Sequence, residues 1–271
     1  MQVIKMQCCG NDFCLVEYNP KIDYKEFSKK ICHRKLGIGA DGLIVVKPMP
    51  LEVIFYNSYG LKEQMNGNGI RCFSKYCYEH GYKRRNLVEC ITQTGMMSVE
   101  IVSENPFLCT VNIGTPFYNN QMLFISDGLD SFGRVLKINE HSVMSYSLSL
   151  GAVQTVVFVD SLDDEILNIA KEISEHKIFA RGTNVNFVKV IDKNTIMVKT
   201  YEYKIGFTLA SGLGSAAGAV VAKKLGFVKN EVKAVLEHGE LIIKIDKKEN
   251  VTLTGSAKEV FRCEYMEEEL C

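Results

Sequence analysis

Two glycine-flanked turns carry the residues whose types and spacing could do chemistry. They are Asn66-Gly67-Asn68-Gly69 and Ser211-Gly212-Leu213-Gly214. Each precedes a segment of helical pattern, 69–80 and 214–225, and each segment is closed by a glycine, Gly81 or Gly226, where a helix exits in a left-handed turn. A helix N-terminus exposes unpaired backbone N–H groups and a partial positive charge. Glycines in the turn let a ligand approach the backbone closely. Two such ends converging from similar halves of the chain would hold one small anion, a carboxylate or a phosphate, with no basic side chain required. A carboxylate held in this way places its α-carbon between the residues that open the turns, Asn66 and Ser211. Neither turn has the Gly-Lys-Ser/Thr ending of a P-loop or the spacing of a dinucleotide fingerprint, so the pattern does not point to a nucleotide.

Cysteine and histidine are the other candidates. The ten cysteines stand at 8, 9, 14, 32, 72, 77, 90, 109, 263 and 271, with no repeated spacing. That distribution reads as reduced, buried small hydrophobes rather than a disulfide framework. No CxxC pair occurs and the five histidines are scattered, so no metal site is expected.

The elements that must position the turns are mostly short and apolar. Runs at 13–18, 43–46, 53–56, 88–91, 98–102, 109–113, 153–159, 186–191, 196–201, 241–245 and 251–254 are rich in β-branched residues and bounded by turn residues, and they predict strands. Helical spacing is confined to 25–35, 162–175 and the two segments behind the glycine turns. Few helices among many strands predict an α+β fold. The two turn–helix units lie about half a chain apart. Asn11-Asp12-Phe13 early and Asn184-Val185-Asn186-Phe187 late each lead into a strand, which adds to the pattern of an internal repeat.

Lys+Arg and Asp+Glu both number 32, and the balanced charge argues against nucleic acid or an anionic membrane as partner. No apolar run is long enough to span a bilayer, and the first residues do not read as a signal or transit peptide. A cytoplasmic enzyme or binding protein is expected.

The stretches CCGNDF (8–13), RKLGIGADGL (34–43), FYNSYGLKEQMNGNGIRC (55–72), RGTNVNFV (181–188), TYEYKIGFTLASGLGSAAGA (200–219) and LTGSAKEVF (253–261) follow one another in the order and spacing of the diaminopimelate epimerase motifs. The chain therefore resembles that family of cofactor-independent amino-acid isomerases over nearly its whole length. The resemblance implies two pseudo-symmetric domains, each a curved mixed or antiparallel sheet around a central helix, facing each other across a cleft. The first would cover 1–115 completed by 257–271, and the second 116–256. It also implies a homodimer, or a heteromer with a cysteine-bearing paralogue. In this family one thiolate removes the α-proton and a thiol on the opposite face reprotonates the carbanion, without any cofactor. Each catalytic cysteine opens one of the two glycine turns.

Here those catalytic positions hold Asn66 and Ser211, an amide and a hydroxyl, which cannot run a two-thiol exchange. Cys8 and Cys9 are the nearest spare thiols. The resemblance assigns the α-carboxylate to the backbone of Gly67, Asn68, Gly212 and Leu213, and the α-amino group to Glu202. It assigns the distal end of diaminopimelate to asparagines, matched by Asn11, Asn57 and Asn184, and to an arginine and a GNPH motif. This chain has Tyr203 in place of that arginine and Gly151-Ala152-Val153-Gln154 in place of GNPH. The head-group site is thus retained and the distal clamp altered. The expected ligand is a small α-amino acid with a neutral or apolar side chain stacked on Tyr203, with no metal and no cofactor. Three functions fit: a sensor or non-catalytic subunit; an active isomerase using another base, with Glu202 and Glu63 the carboxylates to test; or an inactivated variant of a normal racemase or epimerase.

Overall fold

The structure is a computed structural model, and it describes residues 1–63, 66–163 and 165–266. It divides into two compact units, Met1–Val111 with the segment from Gly255 onward, and Asn112–Thr254. The divisions at 111 and 254 differ by a few residues from the expected 115 and 256, because each falls inside a strand that runs on from one unit into the other.

In the first unit the elements are β1 (Gln2–Cys8), β2 (Asn11–Glu17), α1 (Tyr24–Cys32), β3 (Gly42–Pro48), β4 (Leu51–Asn57), β5 (Lys62–Glu63), α2 (Gly67–Glu79), β6 (Leu87–Thr92), β7 (Gly95–Glu104) and β8 (Phe107–Gly114). β1 pairs antiparallel with β2, β2 parallel with β3, and β3 antiparallel with β4. The sheet continues through a short parallel contact of β4 with β6, then antiparallel through β7 to β8. The C-terminal strand Lys258–Glu264 adds antiparallel to the outer edge of β1. Alternation along the strands sends Val3, Cys14, Val16, Leu43, Val45 and Ile54 to one face, where α1 covers them with Tyr24, Phe27 and Ile31. α2 takes the other face and touches β1, β2, β3, β6 and β7. Covered on both sides, β3 reads Gly-Leu-Ile-Val-Val rather than alternating with polar residues.

The second unit contains α3 (Asn120–Leu123), β9 (Phe132–Ile138), β10 (His141–Leu150), β11 (Ala152–Phe158), a 3₁₀ turn (Glu165–Ile169), α4 (Ala170–Ser174), β12 (Asn184–Asp192), β13 (Thr195–Glu202), β14 (Gly206–Thr208), α5 (Gly212–Lys224), β15 (Glu231–Leu236), β16 (Gly239–Ile245) and β17 (Val251–Ser256); the C-terminal strand of the first unit is β18. The order β9-β10-β11-β12-β13-β15-β16-β17 repeats β18-β1-β2-β3-β4-β6-β7-β8, including the parallel pairs at β11–β12 and β13–β15. Each central helix follows the same two-strand hairpin, β4–β5 or β13–β14. The repeat inferred from two glycine turns therefore extends through the strands of both units.

α5 is buried all round, and its sequence Gly-Leu-Gly-Ser-Ala-Ala-Gly-Ala shows why. Small residues let the backbone sit against the sheet, and a side chain at Gly218 would meet Val188. The segment 162–175, expected as one helix, splits into the 3₁₀ turn and the short α4. Among the described residues no helix is long and apolar enough to cross a membrane.

Candidate functional site

Asn66 is the N-cap of α2. Its backbone is extended (φ −123°, ψ 116°) and its side-chain oxygen accepts from the N–H groups of Asn68 at 3.0 Å and Gly69 at 2.9 Å. Two of the helix's open donors are thus closed by the cap itself. The N–H of Ile70 goes to Asn66 O at 2.8 Å. Gly67 N–H is left without a protein partner among the described residues. Ser211 holds the equivalent place on α5 (φ −121°, ψ 111°), where its Oγ accepts only from Gly214 N–H, at 3.2 Å. Ser215 N–H donates to Ser211 O at 3.0 Å, and Gly212 and Leu213 N–H have no protein partner among the described residues.

The first turn is locked from behind. Asn68 Nδ2 donates to Asn11 Oδ1 at 2.9 Å, and Asn11 Nδ2 donates to Asp41 at 2.7 Å. Asn68 Oδ1 accepts from Arg71 at 2.9 Å, and the same guanidinium donates to Gly67 O at 3.1 Å and Ser256 O at 3.4 Å. Arg34 clamps Asp12 through two nitrogens, at 3.0 and 2.9 Å, and reaches Asp41 at 2.7 Å; Lys5 pairs with Asp12 at 2.7 Å. Burial favours a neutral Asp12, but the bonds from Arg34 and Lys5 outweigh it and hold the carboxyl below its ordinary range. Arg71, Arg34, Asp12 and Asp41 are site-building residues that the sequence reading left without a role. The arginines and acids of RKLGIGADGL and GNGIRC were visible, but nothing in their spacing showed that they lie behind one turn.

Asn57 turns its oxygen inward, accepting from Tyr59 and Leu61 N–H at 3.0 and 2.9 Å, which leaves its Nδ2 as donor. Glu63 stands beside the cap, with Asn66 Nδ2 donating to it at 3.4 Å. Burial raises the Glu63 carboxyl above its ordinary value, and the Asn66 bond only partly offsets this. Cys8 and Cys9, the spare thiols, are buried. Cys8 Sγ lies 3.3 Å from Asn68 O and 3.4 Å from Cys72 Sγ.

In the second unit Asn184 Oδ1 accepts from Tyr203 N–H at 2.9 Å, so the asparagine fixes the backbone that carries Tyr203. The Tyr203 ring lies over the Cα of Gly182, at positive φ (72°), in the space a side chain there would need. Lys204 Nζ is 5.0 Å from the same ring centre. Glu202 is half-buried on β13, paired with Gly206 of β14. Gln154 is fully buried and accepts from Asn186 Nδ2 at 2.9 Å, while Asn186 accepts from Thr200 Oγ1 at 2.9 Å. The bare Cα of Gly214 packs against this Asn186–Thr200 pair. Leu213 leans on Gly151, where an added Cβ would be 3.1 Å from its Cδ1. Gln154 Nε2 and Thr208 Oγ1 are buried without a partner among the described residues. No cluster of three or more potential metal ligands occurs among those residues.

Each unit thus presents one helix N-terminus opened by glycine, with asparagine amides nearby, and Glu63 stands beside the first. Open backbone N–H groups at a helix N-terminus can take a small anion such as a carboxylate. Comparison with known proteins finds relatives along nearly the whole chain. Residues 3–118 and 146–260 match the family model described as diaminopimelate epimerase. A protein of Caldanaerobacter subterraneus subsp. tengcongensis named diaminopimelate epimerase is 34% identical over 97% of this chain and 99% of that one. One of the same name from Archaeoglobus fulgidus is 38% identical over 95% and 93% of the two chains. Among solved structures, a hydroxyproline epimerase from Agrobacterium vitis superposes with a TM-score of 0.68 at 13% identity, covering 97% of this chain and 91% of that one. A phenazine biosynthesis protein of the PhzF family from Bacillus anthracis gives 0.71 at 12%, covering 98% and 99%. At such identities the last two show the shared fold alone.

Proposed function

The chain belongs to the diaminopimelate epimerase family, and from that premise we propose that it binds a small α-amino acid, its carboxylate on the open N–H groups of a glycine turn, without exchanging the α-proton. The observation that carries this reading is the engagement of Asn66 and Ser211 as helix caps. Each presents an acceptor oxygen to the helix backbone, and neither is a base of suitable pKa. The named relatives are diaminopimelate epimerases, and the proposed departure from them rests on these two positions and on the distal end. Tyr203 and Gln154 supply no charge to a second carboxylate. Tyr203 instead offers a ring face braced on Gly182, which suits a neutral or apolar side chain. On this reading the protein is a sensor or the silent partner of a cysteine-bearing paralogue, in the cytoplasm and without a cofactor.

One observation favours a second reading. Glu63 lies beside Asn66 and its carboxyl is raised by burial, the direction of shift a carboxylate general base needs. Incubation with each common amino acid in D₂O, followed by NMR of the α-proton, separates the two. Calorimetric binding with no loss of α-proton signal is expected. Signal loss that disappears in Glu63→Gln would establish the second reading, and tight binding of diaminopimelate with no monocarboxylic amino acid bound would overturn the distal-site argument.

A further inference from the structure

The cysteines closest to the first turn do not belong to the proposed amino-acid site, and their surroundings have a chemistry of their own. Cys8, Cys72 and Arg71 are all fully buried. The guanidinium donates only to uncharged acceptors, Gly67 O, Asn68 Oδ1 and Ser256 O, and among the described residues no carboxylate pairs with it. Arginine cannot shed its proton inside a protein, so its charge must be compensated where it sits. The ionisable groups around it are the thiols of Cys8, Cys109, Cys9 and Cys72.

Those thiols are not equivalent. Burial, only partly offset by the charge of Arg71, pushes Cys109 up to about 12, and burial together with the Cys8 bond sends Cys72 well above its ordinary value. At Cys8 burial acts the same way but is outweighed by the hydrogen bond from Cys72 and the charge of Arg71, which bring it down to about 7. As a thiol Cys8 donates to Asn68 O; as a thiolate it accepts from Cys72 S–H. The two sulfurs are 3.4 Å apart, on β1 and on the second turn of α2. In a second hydrogen-bonded pair the bond from Cys32 lowers Cys14 in the same way, but the cation beside it, Lys5, is paired with Asp12 at 2.7 Å, and that carboxylate opposes the thiolate, whereas Arg71 has no carboxylate partner among the described residues.

We propose that Cys8 and Cys72 are a redox-active dithiol, with Cys8 the attacking sulfur and Cys72 the resolving one, converted by hydrogen peroxide to a disulfide that ties β1 to α2. The Cys8 thiolate attacks one peroxide oxygen; an S–O bond forms, the O–O bond breaks, and the departing hydroxide takes up a proton as water. Cys72 then loses its proton and attacks the sulfenic sulfur, forming the S–S bond and releasing the second oxygen as water. Two thiols and one peroxide give one disulfide and two waters. Closing the sulfurs to about 2.05 Å draws the second turn of α2 toward β1 and removes the donor from Asn68 O, so oxidation acts on the Asn66–Gly69 turn.

The test treats the whole protein with one equivalent of hydrogen peroxide, quenches with an alkylating agent, and maps cysteines by peptide mass spectrometry. The expected first product is a Cys8–Cys72 link, formed before any Cys14–Cys32 link, retained in Cys9→Ser and reversed by dithiothreitol. Cys72→Ser should instead accumulate a dimedone-reactive sulfenic acid at Cys8. Recovery of Cys8 and Cys72 both alkylated while other cysteines oxidise, or over-oxidation of Cys8 in the wild type without a link, overturns the proposal.

Discussion

Replacing Asn66 with alanine measures what the first turn's cap contributes. The side chain closes two backbone donors at 3.0 and 2.9 Å, whereas Ser211 closes one at 3.2 Å. Loss of an N-cap side chain costs about 0.5–2 kcal/mol. Two short bonds place Asn66→Ala near the top of that range, at roughly 1.5–2 kcal/mol, and one longer bond places Ser211→Ala near the bottom, at roughly 0.5–1 kcal/mol. The Asn66 Nδ2 contact to Glu63, at 3.4 Å, is too long to add much. Asn66→Asp keeps the acceptor and gains about 0.3–1 kcal/mol from the helix dipole, but it sets a second carboxylate beside Glu63, so it should fall between wild type and alanine. Urea unfolding at unchanged m-value reads the differences, and amide exchange reads the cause: Asn68 and Gly69 should lose protection in Asn66→Ala. The reasoning fails if Asn66→Ala costs no more than Ser211→Ala, or if those two amides keep their protection.

Gly214→Ala should cost about 3 kcal/mol, from overpacking together with hydrogen bonds broken in the core. Its methyl would strike Asn186 Oδ1 and lie 2.6 Å from Thr200 Oγ1, both buried and bonded. Gly67→Ala, with nothing within 4 Å, should instead be neutral or stabilising by up to about 1 kcal/mol in the same urea titration. Glu63→Gln should stabilise the protein at neutral pH. The folded-state carboxyl is raised above its ordinary 4.5, so its favourable contribution is fully present below that value and is lost as pH rises through the folded value. The advantage of glutamine should therefore shrink as unfolding is measured at pH values falling toward 4.5.

The parts of the fold that were legible owe it to glycine. Gly81 and Gly226 marked the ends of α2 and α5, and the turns marked their starts, except that Gly67 and Gly212 are themselves the first helical residues. The strands at 2–8, 132–138, 141–150, 231–236 and 258–264 were missed for identifiable reasons. β10 reads His-Ser-Val-Met-Ser-Tyr-Ser-Leu-Ser-Leu, and its Ser145 and Ser147 are buried with hydrogen bonds to Arg134 O and Thr155. A strand whose core positions are serines hides from any apolar pattern. β18 is an edge strand with Val260 and Phe261 exposed, so burial left no periodicity to read. Arg71 was illegible because an arginine early in a helix reads as a solvated side chain. Its burial depends on Ser256 O, a partner 185 positions away.

The two cap positions carry demands that pull against each other, and the two units answer them differently. A thiol at a helix N-terminus is acidified there but is a weak acceptor, so it leaves the helix donors open; asparagine and serine close them and supply no base. Asn66 has gone further in that direction, since its amide occupies two donors and leaves Gly67 N–H. Ser211 occupies one and leaves both Gly212 and Leu213 N–H. On the proposed reading the second turn therefore offers an anion more open donors, and Ser211→Asn should abolish that difference. Its longer side chain would reach Leu213 N–H as Asn66 reaches Asn68 N–H, so the variant should gain stability while losing ligand contact. Titration with acetate, followed by the amide shifts of Gly212 and Leu213, reads the second effect directly. Equal acetate response in Ser211→Asn and wild type would mean that the cap oxygen does not compete for these donors, and the assignment of the carboxylate to this turn would fall with it.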